Sequence, residues 1–301
     1  MKPRSFNTIK IDVEKGIVRK SSTDVEKLKS EILFYVDAPN NIKKLMPKLY
    51  RHSKDYSWYE MEYLDWTTLT ELANSVELSA EEWATIFFSI HESYLLFNET
   101  TGEVNFSKLY KVFIEKAIKR ARALDSQELK NIFFNGCILN GVNRQGLASL
   151  LISNMGVLFK VTKDVSLLHG DFCFSNIMIS DDLKKIKLVD PRGGFDDPSI
   201  YGPKAYDIAK LAQSSYSWYD KIVENQYELR RSDNGYTLTL TGHDWTENAR
   251  DAFDPMLETM GLTEMDAKAL AGLMLAGTPG LHLDDPERAI SLALNAVLLL
   301  S

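Results

Sequence analysis

Cysteine is scarce in this chain: Cys137 and Cys173 are the only two in 301 residues. They stand far apart without CxxC spacing, which excludes a disulfide framework and a cysteine-based metal site and fits a reducing compartment. Positive charge is also in short supply. Against 42 Asp and Glu stand 35 Lys and Arg, giving a net charge of -7 and a pI near 5.4. That balance argues against a broad phosphate-binding face, so no nucleic-acid partner is expected and small-molecule chemistry is favoured. Long apolar runs are missing as well. The two most apolar stretches, 269–276 and 289–300, are shorter than the roughly 20 residues a membrane span needs, and Asn295 interrupts the second. Both read as buried helices, and no membrane span is expected. Residues 1–20 carry scattered charges and no apolar segment followed by a small-residue cleavage site, so no signal peptide is readable and a cytoplasmic location is expected. A hydrophobic content of 45% nonetheless suffices for one large or two modest cores.

The first sixty-odd residues differ in texture from the rest. Ile9-Lys10-Ile11-Asp12 and Ile17-Val18-Arg19-Lys20 alternate in period two around a turn ending at Gly16, which predicts a hairpin. Ser22 or Thr23 can cap a helix over 24–36, with Val25, Leu28, Ile32 and Tyr35 at helical spacing and Pro39 beyond its end. Segments 48–50 and 58–64 read as two further strands. From residue 67 helical patterns dominate, over 68–75, 80–97, 106–124, 145–161, 205–214, 245–260 and 264–275. The one clear exception is a β-hairpin formed by 177–179 and 186–189.

The flanks of that hairpin carry the chemistry. Leu167-Leu168-His169-Gly170-Asp171-Phe172-Cys173-Phe174-Ser175-Asn176 precedes it, and Asp190-Pro191-Arg192-Gly193-Gly194 follows. A hairpin brings its flanks together, so Asp171, Asn176 and Asp190 converge as oxygen donors of the kind that bind Mg²⁺ and orient a hydroxyl. Magnesium keeps several waters and accepts phosphate oxygens beside one or two carboxylates, so an open site of this type implies a nucleotide. Taken singly, each residue has a blander reading: Asp171 and Asn176 as an Asx-turn pair, Asp190 as a turn residue.

His-Gly-Asp, four residues, Asn, a hairpin and an Asp-containing turn together resemble the catalytic and metal-binding loops of the aminoglycoside phosphotransferase and choline kinase group, within the protein-kinase-like fold. More narrowly, HGDFCFSNIM with LVDPRG resembles phosphotransferase-like proteins of capsule and surface-polysaccharide biosynthesis. The resemblance implies an α+β, two-lobed architecture: a nucleotide-binding lobe at 1–64, with a small antiparallel sheet and one helix, and a larger, mainly helical catalytic and acceptor-binding lobe at 65–301. It implies Asp171 as catalytic base, Asn176 and Asp190 as Mg²⁺ ligands, and ATP as co-substrate, with GTP left open. Lys20 fits the phosphate-binding lysine and Glu31 the helix glutamate that holds it, the alternative being a solvated pair; Arg19 faces the other way along the strand. Residues 59–64 resemble the strand and hinge that receive the adenine, with Val18 and Met61 as lining and backbone groups near Glu62 and Leu64 as hydrogen-bonding partners. Tyr206-Asp207-Ile208 resembles the helix whose aspartate secures the catalytic loop, and His169 is assigned the same supporting duty.

The pattern also departs from the family. No glycine precedes Gly16, where a phosphate-covering turn is usual; Ser5, Phe6 and Asn7 are what stands there. The usual Phe-Gly after the metal aspartate is Pro191-Arg192-Gly193, and Arg192 can either approach phosphate oxygens or pair with an acidic neighbour. The 15 residues between Asp190 and Tyr206 leave no room for a protein kinase's activation segment. Acceptor-binding candidates are Asp196, Asp197 and Tyr201, together with His282, Asp284 and Asp285, the last two equally readable as helix caps before Pro286. The expected activity is a phosphotransferase with an alcohol group of a sugar or polysaccharide precursor as acceptor. The alternatives are an aminoglycoside or choline-type kinase, or a catalytically silent nucleotide-binding scaffold. Nothing in the sequence fixes an oligomeric state.

Overall fold

The computed structural model describes residues 7–97, 100–194, 199–233 and 235–301. They form two compact units. The first comprises the described residues of Met1–Leu72, Ala84–Glu103 and Asp164–Asp207, the second those of Ala73–Trp83, Val104–Lys163 and Ile208–Ser301. The first unit thus takes in more than the stretch 1–64, because the chain returns to it with the whole segment that carries His169 to Asp190.

In the first unit, β1 (Asn7–Asp12), β2 (Ile17–Ser22), helix α1 (Val25–Asp37), β3 (Leu49–His52) and β4 (Trp58–Glu62) follow one another, and the strands form an antiparallel sheet in the order β1-β2-β4-β3. Gly16 closes the first turn at φ 65°, donating its N–H to Val13 O at 3.2 Å. The cap of α1 is Asp24, not Ser22 or Thr23: its carboxylate accepts from Lys27 N at 3.2 Å. Ser22 still belongs to β2, and its hydroxyl accepts from Asp24 N, so the helix begins later than expected.

Residues directly opposite in neighbouring strands share a face. Ile9 opposes Lys20 and Ile11 opposes Val18; Val18 and Lys20 in turn oppose Met61 and Tyr59. One face of the sheet therefore carries Ile9, Ile11, Val18, Lys20, Tyr59 and Met61. Arg19 lies on the other face, where its guanidinium donates to Glu60 at 2.6 and 2.9 Å and covers the Trp58 ring.

The hairpin expected around residue 183 is present as Ile177–Ile179 paired with Ile186–Leu188, with Thr67–Thr68 as a third strand. Ile177, Ile179, Ile186 and Leu188 are buried, which fixes the register, since a one-residue slip would turn all of them to the opposite face. Leu188 N donates to Leu45 O, and Lys187 Nζ donates to the carbonyls of Lys44 and Met46, so the hairpin is tied to the segment leading into β3. A third sheet, Thr100–Glu103, Asp164–Leu167 and Tyr201–Pro203, completes this unit. It is not foreshadowed in the sequence, because its strands are short and its pairings join distant segments.

The second unit is helical around Glu264–Ala276 and Pro286–Leu300, both largely buried, as their apolar runs imply. Phe106–Tyr110 continues through a π-helical turn, Lys111–Glu115, into Lys116–Arg122. The helix expected over 145–161 stops at Asn154 and tightens into a 3₁₀ turn at Met155–Phe159. The expectation of a single hairpin among helices is corrected here. Tyr227–Ser232, Gly235–Leu240, Cys137–Leu139 and Val142–Arg144 form a further sheet in this unit. The signal for one of its turns was present: Asn140-Gly141 place both central residues at positive φ, 50° and 77°, as a two-residue hairpin loop demands. Among the described residues, no helix is long and apolar enough to cross a membrane.

Candidate active site

Every residue of the proposed phosphoryl-transfer set, Lys20, Glu31, Asp171, Asn176 and Asp190, falls within the first unit. The loop leading to Asp171 is fixed through its backbone. Asp207, in the first turn of the helix Ala205–Tyr216, is buried and accepts from His169 N at 2.7 Å and Gly170 N at 2.8 Å. The His169 carbonyl accepts in turn from Arg192 N and Gly193 N, at 2.6 and 3.2 Å. Gly170 has φ 78° and packs so close to this second strand of the loop that a Cβ there would collide with Gly193 O.

The His169 ring is wholly buried between Phe34 and Phe172, and its Nδ1 accepts from Asp171 N at 3.3 Å. Burial pushes the imidazole down to about 4, and the charges of Asp171 and Asp190 only partly oppose this. An ordinary histidine titrates near 6.5, so between those values the unfolded chain binds the proton that the folded chain refuses. The stability supplied by the neutral ring is therefore complete above pH 6.5 and lost as pH falls toward about 4, by an amount on the order of 3 kcal/mol. Urea unfolding across this window should show the loss, and His169→Gln should flatten it. Equal slopes in both proteins would exclude His169 as the source.

Asn176 closes the loop. Its side-chain nitrogen donates to Asp171 O at 2.8 Å and lies 3.6 Å from Cys173 Sγ, which leaves Oδ1 as the atom free to meet a cation. Val189 N donates to Asn176 O at 3.0 Å, and this bond brings Asp190, at φ 55°, beside Asn176. The candidate donors on these two adjoining segments are one amide oxygen and one carboxylate. Among the described residues no cluster of three or more His, Cys, Asp or Glu side chains suits a metal, so a closed cage is not formed there. An open oxygen site of this kind suits Mg²⁺.

Lys20 ties these distant positions together. Its Nζ lies 2.8 Å from Glu31 Oε2 and 2.8 Å from Asp190 Oδ2. Lys20 and Glu31 are both buried, and Tyr59 adds a hydroxyl donor to the same Glu31 oxygen at 3.2 Å. Burial alone would lower the lysine, but the charges of Asp190 and Glu31 prevail and hold it protonated, above its ordinary value. Burial raises Glu31, with the negative charge of Asp190 adding to it. Burial also acts to raise Asp190, yet Lys20 outweighs it and the carboxyl lies below its usual range. Arg192 meets an acid rather than standing free: its guanidinium lies 2.9 Å from Asp171 Oδ2, and after the cost of burial this raises it further above its ordinary value.

Val18 and Met61 oppose each other on the Lys20 face, and the Tyr35 hydroxyl contacts Met61 Sδ at 3.6 Å. Glu62 N donates to Lys48 O and Tyr63 N to Gly16 O, so at Glu62 the carbonyl, not the N–H, is the group to consider for a base; Leu64 follows just beyond the strand. Ile9 and Ile11 were not singled out from the sequence. They stand on the same face, 43% and 56% exposed, and their apolar exposure beside Lys20 is a signal that only the strand register reveals.

Of the acceptor candidates, Asp196 and Asp197 lie outside the described residues, as does Ser5. Tyr201 starts a strand of the first unit, opposite Leu167. His282, Asp284 and Asp285 belong to the second unit. His282 is buried edge-on to Tyr219, and Asp285 caps Pro286–Leu300 by accepting from Arg288 N at 3.1 Å. The capping alternative thus describes what Asp285 does.

No family profile and no curated protein matches the sequence. Solved structures do resemble it in three dimensions. An aminoglycoside phosphotransferase APH(4)-Ia, a thermostable mutant in ternary complex with AMP-PNP and hygromycin B, superposes with a TM-score of 0.59 at 10% identity, covering 100% of this chain and 92% of its own. Glucosamine kinase in complex with glucosamine, ADP and inorganic phosphate gives 0.57 at 13% identity, with 100% and 80% covered. Choline kinase LicA from Streptococcus pneumoniae gives 0.52 at 15%, with 100% and 91% covered. At such identities the likeness establishes the fold, which is the protein-kinase-like one.

Proposed function

We propose that this chain is an ATP- and Mg²⁺-dependent phosphotransferase that moves the γ-phosphoryl group onto a hydroxyl of a small molecule, a sugar or surface-polysaccharide precursor by preference. The observation that carries the reading is the double contact of Lys20 Nζ with Glu31 and Asp190, which unites residues 20, 31 and 190 beside the Asp171–Asn176 loop. The neighbours of known structure, described as kinases of glucosamine and choline and as an aminoglycoside phosphotransferase, support a small-molecule acceptor. A cytoplasmic location belongs to the same proposal.

In this reading the face carrying Ile9, Ile11, Val18 and Met61 receives the base, with Glu62 and Leu64 offering backbone groups at its edge. Lys20 is held charged and aimed at the phosphates by Glu31. Asn176 Oδ1 and the Asp190 carboxylate would hold Mg²⁺, which when bound neutralises phosphate charge and orients the phosphates. Asp171 orients the acceptor hydroxyl and takes its proton, while Asp207 and His169 keep the loop in place from behind. Arg192 is bound to the same carboxylate that in this reading accepts the proton, so that pair has to open for Asp171 to reach the acceptor.

The same pair favours the rival reading, a nucleotide-binding scaffold in which Asp171 serves a structural ion pair. The two are separated by thermal stabilisation with ATP and ADP, each with and without Mg²⁺, followed by a phosphate-transfer screen over sugars, aminoglycosides and choline. Metal-dependent nucleotide stabilisation together with transfer to one of these is the expected result. Nucleotide binding without transfer to any acceptor would favour the scaffold, and no metal-dependent binding would sink the enzyme reading.

A further inference from the structure

Arg192 belongs to the loop around Asp171 by its backbone as well as by its charge. Its N–H donates to His169 O at 2.6 Å, that of Gly193 donates to the same oxygen at 3.2 Å, and a Cβ added to Gly170 would lie 3.2 Å from Arg192 Cβ. The root of the side chain is therefore pinned, and movement is left to its far end. That end places Nη2 2.9 Å from Asp171 Oδ2, and the side chain is 32% exposed, so the guanidinium is not sealed in by its surroundings.

The ion pair leaves part of the guanidinium unused. Nε is buried and has no hydrogen-bond partner among the described residues. A buried donor without a partner is costly, and such an atom calls for an explanation. In a guanidinium the Nε–H and one Nη2–H run parallel, forming a fork that fits two oxygens of one phosphoryl group. Asp171 meets the Nη2 side of that fork.

Placement identifies the oxyanion that fits both sides. In the reading above, Asp171 takes the proton of the acceptor hydroxyl while the oxygen of that hydroxyl attacks the γ-phosphorus. The carboxylate and the phosphoryl group are then one bridging oxygen apart, about 3 Å on either side. A guanidinium already at Oδ2 reaches the phosphoryl oxygens by rotation of its own side chain. Asp190, the carboxylate assigned to the metal, stands two residues earlier on the same turn with Lys20 Nζ 2.8 Å away, so the neighbouring groups are those assigned to phosphate as well.

We propose that Arg192 is a further catalytic residue: with a triphosphate bound, its guanidinium leaves Asp171 and forks onto two oxygens of the γ-phosphoryl group. This rests on the phosphotransferase reading given above. The exchange frees Oδ2 to receive the acceptor proton. It also brings positive charge to the phosphoryl oxygens while the bond from the γ-phosphorus to the departing ADP oxygen breaks and the bond to the acceptor oxygen forms. The base is thus uncovered only when there is a phosphoryl group to transfer.

The test is calorimetric binding of ADP and of AMP-PNP, a triphosphate analogue that resists transfer, to the full chain and its variants in the presence of Mg²⁺. Arg192→Met should weaken AMP-PNP by about tenfold or more, the worth of one charge-assisted contact, and leave ADP within about twofold. Arg192→Lys, which keeps the charge and loses the fork, should show the same selective loss at smaller size, and it serves if the methionine variant fails to fold. The selective loss should persist when Arg192→Met is made in the Asp171→Asn protein, where no bare carboxylate can repel the phosphoryl group. A loss that disappears there shows an arginine that only covers Asp171, and it overturns the proposal. So does an equal effect on both nucleotides, or none on either, with the nucleotide reading intact. Failure of the parent chain to bind either nucleotide overturns that reading itself.

Discussion

Asparagine in place of Asp171 is expected to slow phosphoryl transfer by roughly two to four orders of magnitude, the usual worth of a positioned general base, with ADP affinity changed by no more than about threefold. The side chain is nearly buried, and its geometry is set by neighbours that the substitution leaves alone: Asn176 donates to the backbone carbonyl, and Asp207 holds the two preceding N–H groups. Asparagine keeps an oxygen for Arg192 but cannot take a proton from the acceptor. The expected signature is thus a fall in kcat with nucleotide binding preserved. It is read from steady-state transfer to an acceptor found in the screen, alongside calorimetric ADP binding. Unchanged transfer would remove Asp171 as the base. A parallel collapse of ADP affinity would place its role in binding.

Lys20→Met is the second large effect, and it falls on stability as well as on activity. The ammonium is buried with acids on two sides, so its loss leaves Glu31 and Asp190 facing each other without the cation they share. Breaking a buried pair by removing one partner costs about 3 to 5 kcal/mol, a drop in melting temperature of the order of 10 °C for a unit of this size. Burial and the Asp190 charge already raise the Glu31 carboxyl with the lysine present, so in its absence Glu31 should take up a proton more readily still. Lys20→Met combined with Glu31→Gln should recover part of the lost stability and none of the nucleotide affinity. Thermal unfolding of the single and double variants checks this, and strictly additive losses would show that the two side chains do not act as a pair.

Much of this arrangement could be read along the chain because the segments concerned are local. The HGD-to-Asn stretch, the hairpin that follows it and Asp190 all lie within residues 169–190, where turn chemistry and period-two alternation dictate the geometry. The same holds for Lys20 and Glu31, which lie four residues before and seven residues after the Asp24 cap. Other features escaped for the opposite reason. The sheet that includes Cys137–Leu139 and Tyr227–Ser232 joins segments some ninety residues apart, and its strands are brief. Asn140-Gly141 announced a turn, but nothing local announced its partner strand. The cap of α1 moved from Ser22 or Thr23 to Asp24 because the preceding strand claimed Ser22, a competition that propensity alone does not rank.

Composition, motif order and periodicity therefore carried the fold class and named the candidate oxygen donors, since these depend on residue identity and on spacing along a few turns of chain. Pairing between distant segments settled the rest. It set Lys20 against Asp190 across 170 positions, turned Arg192 onto Asp171 when phosphate was the other choice, and placed Lys27 beside an acid already shared. Each is a matter of charges brought within a few ångströms in a buried setting, where an interaction too weak to register between solvated side chains becomes strong enough to decide protonation and ligand affinity.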